Sequence, residues 1–159
     1  MQTSEDKKTI LVINYQITGE NAPKWDIFPS DLWLMLIGNF FSRFTNEVGL
    51  CCRLETLSKF YDISLEYCGE RDKYSVYILT ESLIKKLSSI PFNIWNASNE
   101  AFPSDYMMFW HNGQPKAEAC FYESYIEFIN LAFNEYQALV QIDPRIKKNL
   151  REDYPMRMS

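Results

Sequence analysis

The sequence predicts an α+β fold: an antiparallel sheet built from hairpins, with about three helices packed mostly on one face. Three observations carry this. Leu32, Leu36, Phe40 and Phe44 recur at the spacing of one helix face. Short β-branched or aromatic runs alternate apolar and polar residues between turn signals, as half-buried strands do. The stretch from Tyr106 to Gln141 reads as strand, turn, strand and amphipathic helix, with an Asn112-Gly113 pair suited to a tight hairpin. Every element of that stretch carries apolar residues, so the rest of the chain is expected to pack around it.

Taken in order, Thr9–Gln16 (TILVINYQ) is β-branched and apolar, a buried strand. Residues 18–29 hold Gly19, Asn21, Pro23 and Pro29 and form a loop. Its Trp25, Ile27 and Phe28 are expected to fold back on the core. Ser30 is a good N-cap, and Asp31 suits the positive helix end. Trp33, Ile37 and Phe41 widen the apolar stripe, and the helix is expected to run to Asn46 or Gly49. Residues 50–60 fit a helix face or a strand. Strand is favoured because Tyr61, Ile63, Leu65 and Tyr67 then alternate in the next one. Gly69–Lys73 is the expected turn and Tyr74–Leu79 the return strand. Thr80 caps a short helix, Glu81–Ser89, which Pro91 stops. Residues 92–103 read as irregular. After the hairpin, Asn130 is the expected cap of a last helix with Leu131, Phe133, Tyr136, Ala138 and Val140 toward the sheet. Asp143-Pro144 ends it.

A length of 159 residues implies one domain, placed at 1–144, with 145–159 as a basic, loosely attached tail. The formal charge of −5 is uneven. The tail holds five basic residues against two acidic ones, leaving it +3 and the first 144 residues −8. An acidic body repels phosphate, so no nucleic-acid partner is expected; it attracts cationic surfaces. The start, MQTSEDKK, is polar with no signal-type h-region behind it, and no apolar run approaches a membrane span. The expectation is a cytoplasmic chain with no membrane contact. Cys51, Cys52, Cys68 and Cys120 are accordingly expected as reduced thiols.

Chemistry-bearing motifs are sparse. His111 is the only histidine, and the cysteines lack the spacing of a zinc site, so neither metal nor cofactor is expected. Five glycines and no glycine-rich motif leave no phosphate cradle. A nucleophilic Cys120 activated by His111 across the hairpin is the one catalytic pair the sequence offers, without a third orienting group. Glu118, Glu123 and Glu127 alternate with Tyr122 and Tyr125, and Trp110 lies on the facing strand. Acids interleaved with aromatics suit a surface that clamps a basic partner. Trp110, Glu118, Tyr122, Glu123, Tyr125 and Glu127 are therefore the expected partner-binding residues.

The function expected from these residues is recognition without catalysis. In its general character (small, acidic, poor in motifs) the chain resembles bacterial immunity proteins. The likeness implies a partner in the form of a basic toxin domain. Two alternatives are a small enzyme or small-molecule binder using a His/Cys/Glu pocket, and a structural subunit of a larger assembly.

Overall fold

The computed structural model describes residues 6–17, 23–24, 26–51, 60, 62–95 and 106–152. The expectations for Trp25, for Cys52, for most of residues 50–61 and for 96–103 and 153–159 lie outside them. The architecture is α+β. Eight strands form one antiparallel sheet: β1 (Lys8–Leu11), β4 (Glu47–Leu50), β5 (Tyr67–Arg71), β6 (Tyr74–Ile78), β7 (Tyr106–His111), β8 (Gln114–Cys120), β9 (Tyr125–Ile129) and β10 (Leu150–Arg151). Their order across the sheet is β10-β1-β9-β8-β7-β4-β6-β5. A separate pair, β2 (Gln16–Ile17) and β3 (Pro23–Lys24), lies in the loop after β1.

The first helix starts at Ser30, as its apolar spacing predicts, with Pro29 rather than Ser30 in the cap position. It continues as α1 (Ser30–Leu36), a π-helical segment (Ile37–Phe41) and α2 (Ser42–Phe44). The wider π turn lets the consecutive Phe40 and Phe41 both enter the core. Phe41 stacks on Phe109 of β7 with ring centroids 3.9 Å apart. Thr45 closes the helix: its hydroxyl donates to the Phe41 carbonyl (2.6 Å) while its backbone is extended. The chain therefore leaves the helix near Asn46, the earlier of its two expected ends, and Glu47–Leu50 is the strand between β7 and β6.

Two further corrections concern the sheet. The expected strand at 61–68 is confined to Tyr67–Arg71, and the turn falls on Asp72-Lys73, with Asp72 at positive φ. The strand expected after the Asn112-Gly113 turn is two strands. β8 and β9 are joined by residues 121–124, where Ser124 has a φ of 59°. Ala117 and Ala119 on β8, then Ile126 and Phe128 on β9, all reach one hydrophobic cluster. A single strand cannot present odd and then even residues to the same side.

That cluster is the main core. It joins Leu32, Trp33, Leu36, Ile37, Phe40 and Phe41 of the first helical segment to Leu83 and Leu87 of α3 (Glu81–Leu87). It also takes Leu11, Val48, Leu50, Met107, Phe109, Ala117 and Ala119 from the strands. α3 begins as expected, the Thr80 hydroxyl accepting from the Leu83 amide (3.1 Å).

The last helix, α4 (Phe133–Ile142), is rotated from the expected face. Its buried residues are Glu135 and Leu139, and Phe133 is 74% exposed. The reason lies at the helix start. Glu135 accepts from the Ala132 amide (2.8 Å) and pairs with Lys116 of β8 (3.2 Å), which turns that side of the first turn to the sheet. Phe133, two residues earlier, then points away. The tail is not loose over its described part. α5 (Pro144–Asn149) buries Ile146 and Asn149, and β10 pairs with β1, Leu11 opposite Leu150. Arg145 anchors it, bridging Asp143 (2.9 Å) and Asp31 at the start of α1 (2.7 Å).

Leu36→Ala is expected to cost about 2–5 kcal/mol, whereas Phe133→Ala should stay within about 0.5 kcal/mol. Denaturant midpoints of the two variants measure both. The Arg145 guanidinium holds the carboxyls of Asp31 and Asp143 below their ordinary value. A depressed folded value gives stability that is present above the unfolded value of about 4 and is lost as pH falls through the folded one. Arg145→Gln should therefore cost, for such exposed pairs, up to about 1 kcal/mol near neutrality. The gap between variant and wild type should close in melts as pH falls below the unfolded value and through the lowered folded one.

Candidate functional site

Strand alternation gives the sheet a second face, away from the main cluster. Across β6, β4, β7, β8, β9 and β1 it carries Tyr74 and Val76, Gly49, Met108 and Trp110, Glu118 and Cys120, Tyr125 and Glu127, and Ile10 and Val12. Two small apolar clusters form there, Ile10 with Val12, and Tyr74 with Val76 and Trp110. Four of the six expected binding residues, Trp110, Glu118, Tyr125 and Glu127, belong to this face. Tyr122 and Glu123 stand on the turn between β8 and β9.

The structure does not expose them equally. Trp110 and Glu127 are each only 4% exposed, so neither forms part of an open clamp. The Trp110 indole lies against Gly49. A Cβ at that glycine would meet the indole at 2.7 Å and the Tyr74 Cβ at 2.8 Å. The Tyr74 ring meets Trp110 edge-on at 5.6 Å, and the Arg71 guanidinium from β5 covers the indole at 4.7 Å. Long side chains of neighbouring strands lie across the face and bury what alternation alone would leave open.

The carboxylates of this face are engaged by cations of the same chain. Arg71 also pairs with Glu47 (3.2 Å), Lys8 with Glu127 (3.2 Å) and Lys73 with Glu118 (3.7 Å). Lys73 additionally caps the Tyr106 ring at 3.7 Å. The Tyr74 hydroxyl donates to Glu118. Burial first, and this bond second, push the Tyr74 hydroxyl far above its ordinary pKa, so it remains a donor throughout the physiological range. The expected acidic surface thus loses Trp110, Glu118 and Glu127 to internal contacts. Of the other three, Tyr122 is 71% exposed, and Glu123 and Tyr125 are half-buried with contacts of their own.

These three sit at one end of the sheet. Register places the β8–β9 turn, Tyr106 at the start of β7 and Lys73 in the β5–β6 turn there together. Cys120 neighbours Tyr106 and raises the pKa of that hydroxyl, ahead of burial and the Glu123 carboxylate. Burial in turn raises the Cys120 thiol, which keeps it protonated at neutral pH and a poor nucleophile.

The catalytic pair offered by the sequence does not assemble. Cys120 lies opposite Tyr106, whereas His111 lies opposite Gln114 at the other end of the hairpin. Five residues along a strand separate them by roughly 17 Å. The exposed His111 ring instead meets Asn112, 3.2 Å from its Nε2. Among the described residues no three His, Cys, Asp or Glu side chains gather as metal ligands, and no helix is long and apolar enough to cross a membrane. Cys51, Cys68 and Cys120 are free thiols.

The sequence reasoning missed Gly49, Arg71, Lys73 and Tyr106. The Tyr74-Ser75-Val76-Tyr77 alternation pointed to a second apolar face, but which cations cross it depends on strand order. No family model, curated protein or solved structure matches the chain.

Gly49→Ala is expected to cost about 1–3 kcal/mol, because indole and ring must both move. Gly38 has nothing within 4 Å of an added Cβ and sits in the helical segment. Gly38→Ala should be neutral or stabilise by up to about 1 kcal/mol. Urea melts of the pair, read with the near-ultraviolet circular dichroism of the native proteins, separate the two outcomes.

Proposed function

We propose that this chain is a non-catalytic binding protein that recognises a cationic protein domain through the end of the sheet at Tyr122. The observation that supports it is an exposed tyrosine fixed on a tight turn. Cys120 and Tyr125 pair across the base of that turn, so the ring is presented on a rigid support. Exposed aromatic side chains held in this way are frequent anchors of protein interfaces, with neighbouring carboxylates setting the sign of the partner. Glu123 adjoins it, and the charge of −8 over residues 1–144 attracts a basic domain from a distance. The separation of His111 from Cys120, and the protonated Cys120 thiol, favour recognition over covalent chemistry. A toxin domain neutralised by an immunity protein is the partner that best suits such a small, acidic chain.

The test compares wild type with Tyr122→Ala/Glu123→Lys as immobilised baits in lysate of the source organism. Association with any captured protein is then measured at two salt concentrations. Wild type should retain a basic protein whose on-rate falls with salt, and the double variant should bind it about tenfold more weakly or worse. A partner held equally by both baits, with an on-rate indifferent to salt, would move the site elsewhere. A turnover abolished by His111→Ala would replace this reading with an enzymatic one.

A further inference from the structure

Away from the Tyr122 end, the margin of the sheet formed by β1 and β10 closes a cleft against α4 and α5. Its volume is about 510 Å³, and Lys7, Thr9, Leu131, Phe133, Tyr136, Lys147, Leu150 and Glu152 line it. That volume lies within the range of small-molecule sites, roughly 300–1,000 Å³. We propose that this cleft binds a small organic anion with an aromatic body and a single negative charge, of the aromatic carboxylate class.

Three observations converge on that ligand. The first is the apolar wall. Phe133, at the first position of α4, leaves most of its ring uncovered, and Leu131, Tyr136 and Leu150 are only half-buried beside it. A single exposed apolar residue is ordinary, but four line this one cleft, facing the polar side chains of Lys7, Thr9, Lys147 and Glu152. Two of the four are aromatic, which suits a flat ring stacked or edge-on.

The second is charge. Lys7 is paired with Glu152 at 3.8 Å, while Lys147 makes no ion pair among the described residues. The lining thus carries one net positive charge. One charge matches a monoanion; a nucleotide's several phosphates would leave most of their charge uncompensated.

The third is location. Of the exposed charged residues that adjoin the lining in sequence, Lys148 and Arg151 are basic and Asp6 is acidic, with Arg151, opposite Ile10, on the other face of β10. An otherwise acidic chain therefore presents a basic margin here, and an anion repelled by the body is directed to it. The inference is independent of the proposed protein partner, whose contact end lies on the far side of the strand register.

The experiment titrates the full chain with 1-anilinonaphthalene-8-sulfonate, an aromatic monoanion whose fluorescence rises in apolar surroundings. Binding should saturate at one site per chain and weaken as salt is added. A 2-naphthoate competitor should displace the probe, and uncharged 2-naphthalenemethanol should need about tenfold more. Lys147→Glu and Phe133→Ser should each weaken the probe about tenfold or more, with melting temperatures within about 2 °C of wild type. Lys85→Glu, on α3 and outside the cleft, should leave it unchanged. Non-saturable binding, equal displacement by the neutral alcohol, or affinity untouched by both cleft variants would overturn the assignment.

Discussion

Contact between aromatic rings joins helix to sheet, and the remainder of the fold is arranged to permit it. Trp33 meets Phe92 at 5.4 Å and Phe121 at 5.5 Å, both edge-on, with Phe41 and Phe109 slightly farther away. Phe41 stacks on Phe109 and Phe40 meets Phe128 edge-on. Each such pair adds about 0.5–1.5 kcal/mol beyond the area it buries. The contact requires Phe40 and Phe41 to enter together, hence the π turn. It requires β7 and β8 to present Phe109 and Phe121 to the same layer, hence the hairpin between them. Elements far apart in sequence thereby acquire one shared core.

The opposite face solves a different problem. The central strands are buried there as well, yet largely by side chains laid across the sheet. Trp110 over Gly49, Arg71 over Trp110, and Lys73 over Tyr106 form a cover made of rings and cations. Glu47 pairs with Arg71 and Glu118 with Lys73, while Glu127 pairs with Lys8 of β1. Such a layer stabilises less per residue than an aliphatic one, because the outer charges remain partly hydrated. Tyr122, on the turn at the end of the sheet, lies outside this cover and meets solvent, as Tyr67 does on β5.

Much of this was legible in the sequence, and the failures have identifiable causes. The four-residue spacing from Leu32 to Phe44 marks the helical segment, and Asn112-Gly113 marks the hairpin. The second hairpin was also written there, in the change from odd apolar positions (Ala117, Ala119, Phe121) to even ones (Ile126, Phe128). Glu47–Leu50 was not, because its strand character comes from partners about thirty and sixty residues away. Phe133 misled because apolar character outweighed the Glu135 contact that orients its helix. Lys147 and Lys148 likewise obscured Ile146, the residue that fixes the tail. At the site, alternation grouped Glu118 with Cys120 and Tyr125 with Glu127, but it carried no information about Arg71 and Lys8 lying over Trp110 and Glu127.

The margins of the sheet bear on how this molecule behaves among its own copies. β10, at one side of the described sheet, is two residues long and ends in Arg151. β5, at the other, is interrupted by a bulge between Tyr67 and Gly69, where Gly69 adopts a φ of 129°. A brief charged border and a kinked one are both poor templates for a further strand. Growth into ribbons by edge pairing is disfavoured on either side of the described sheet.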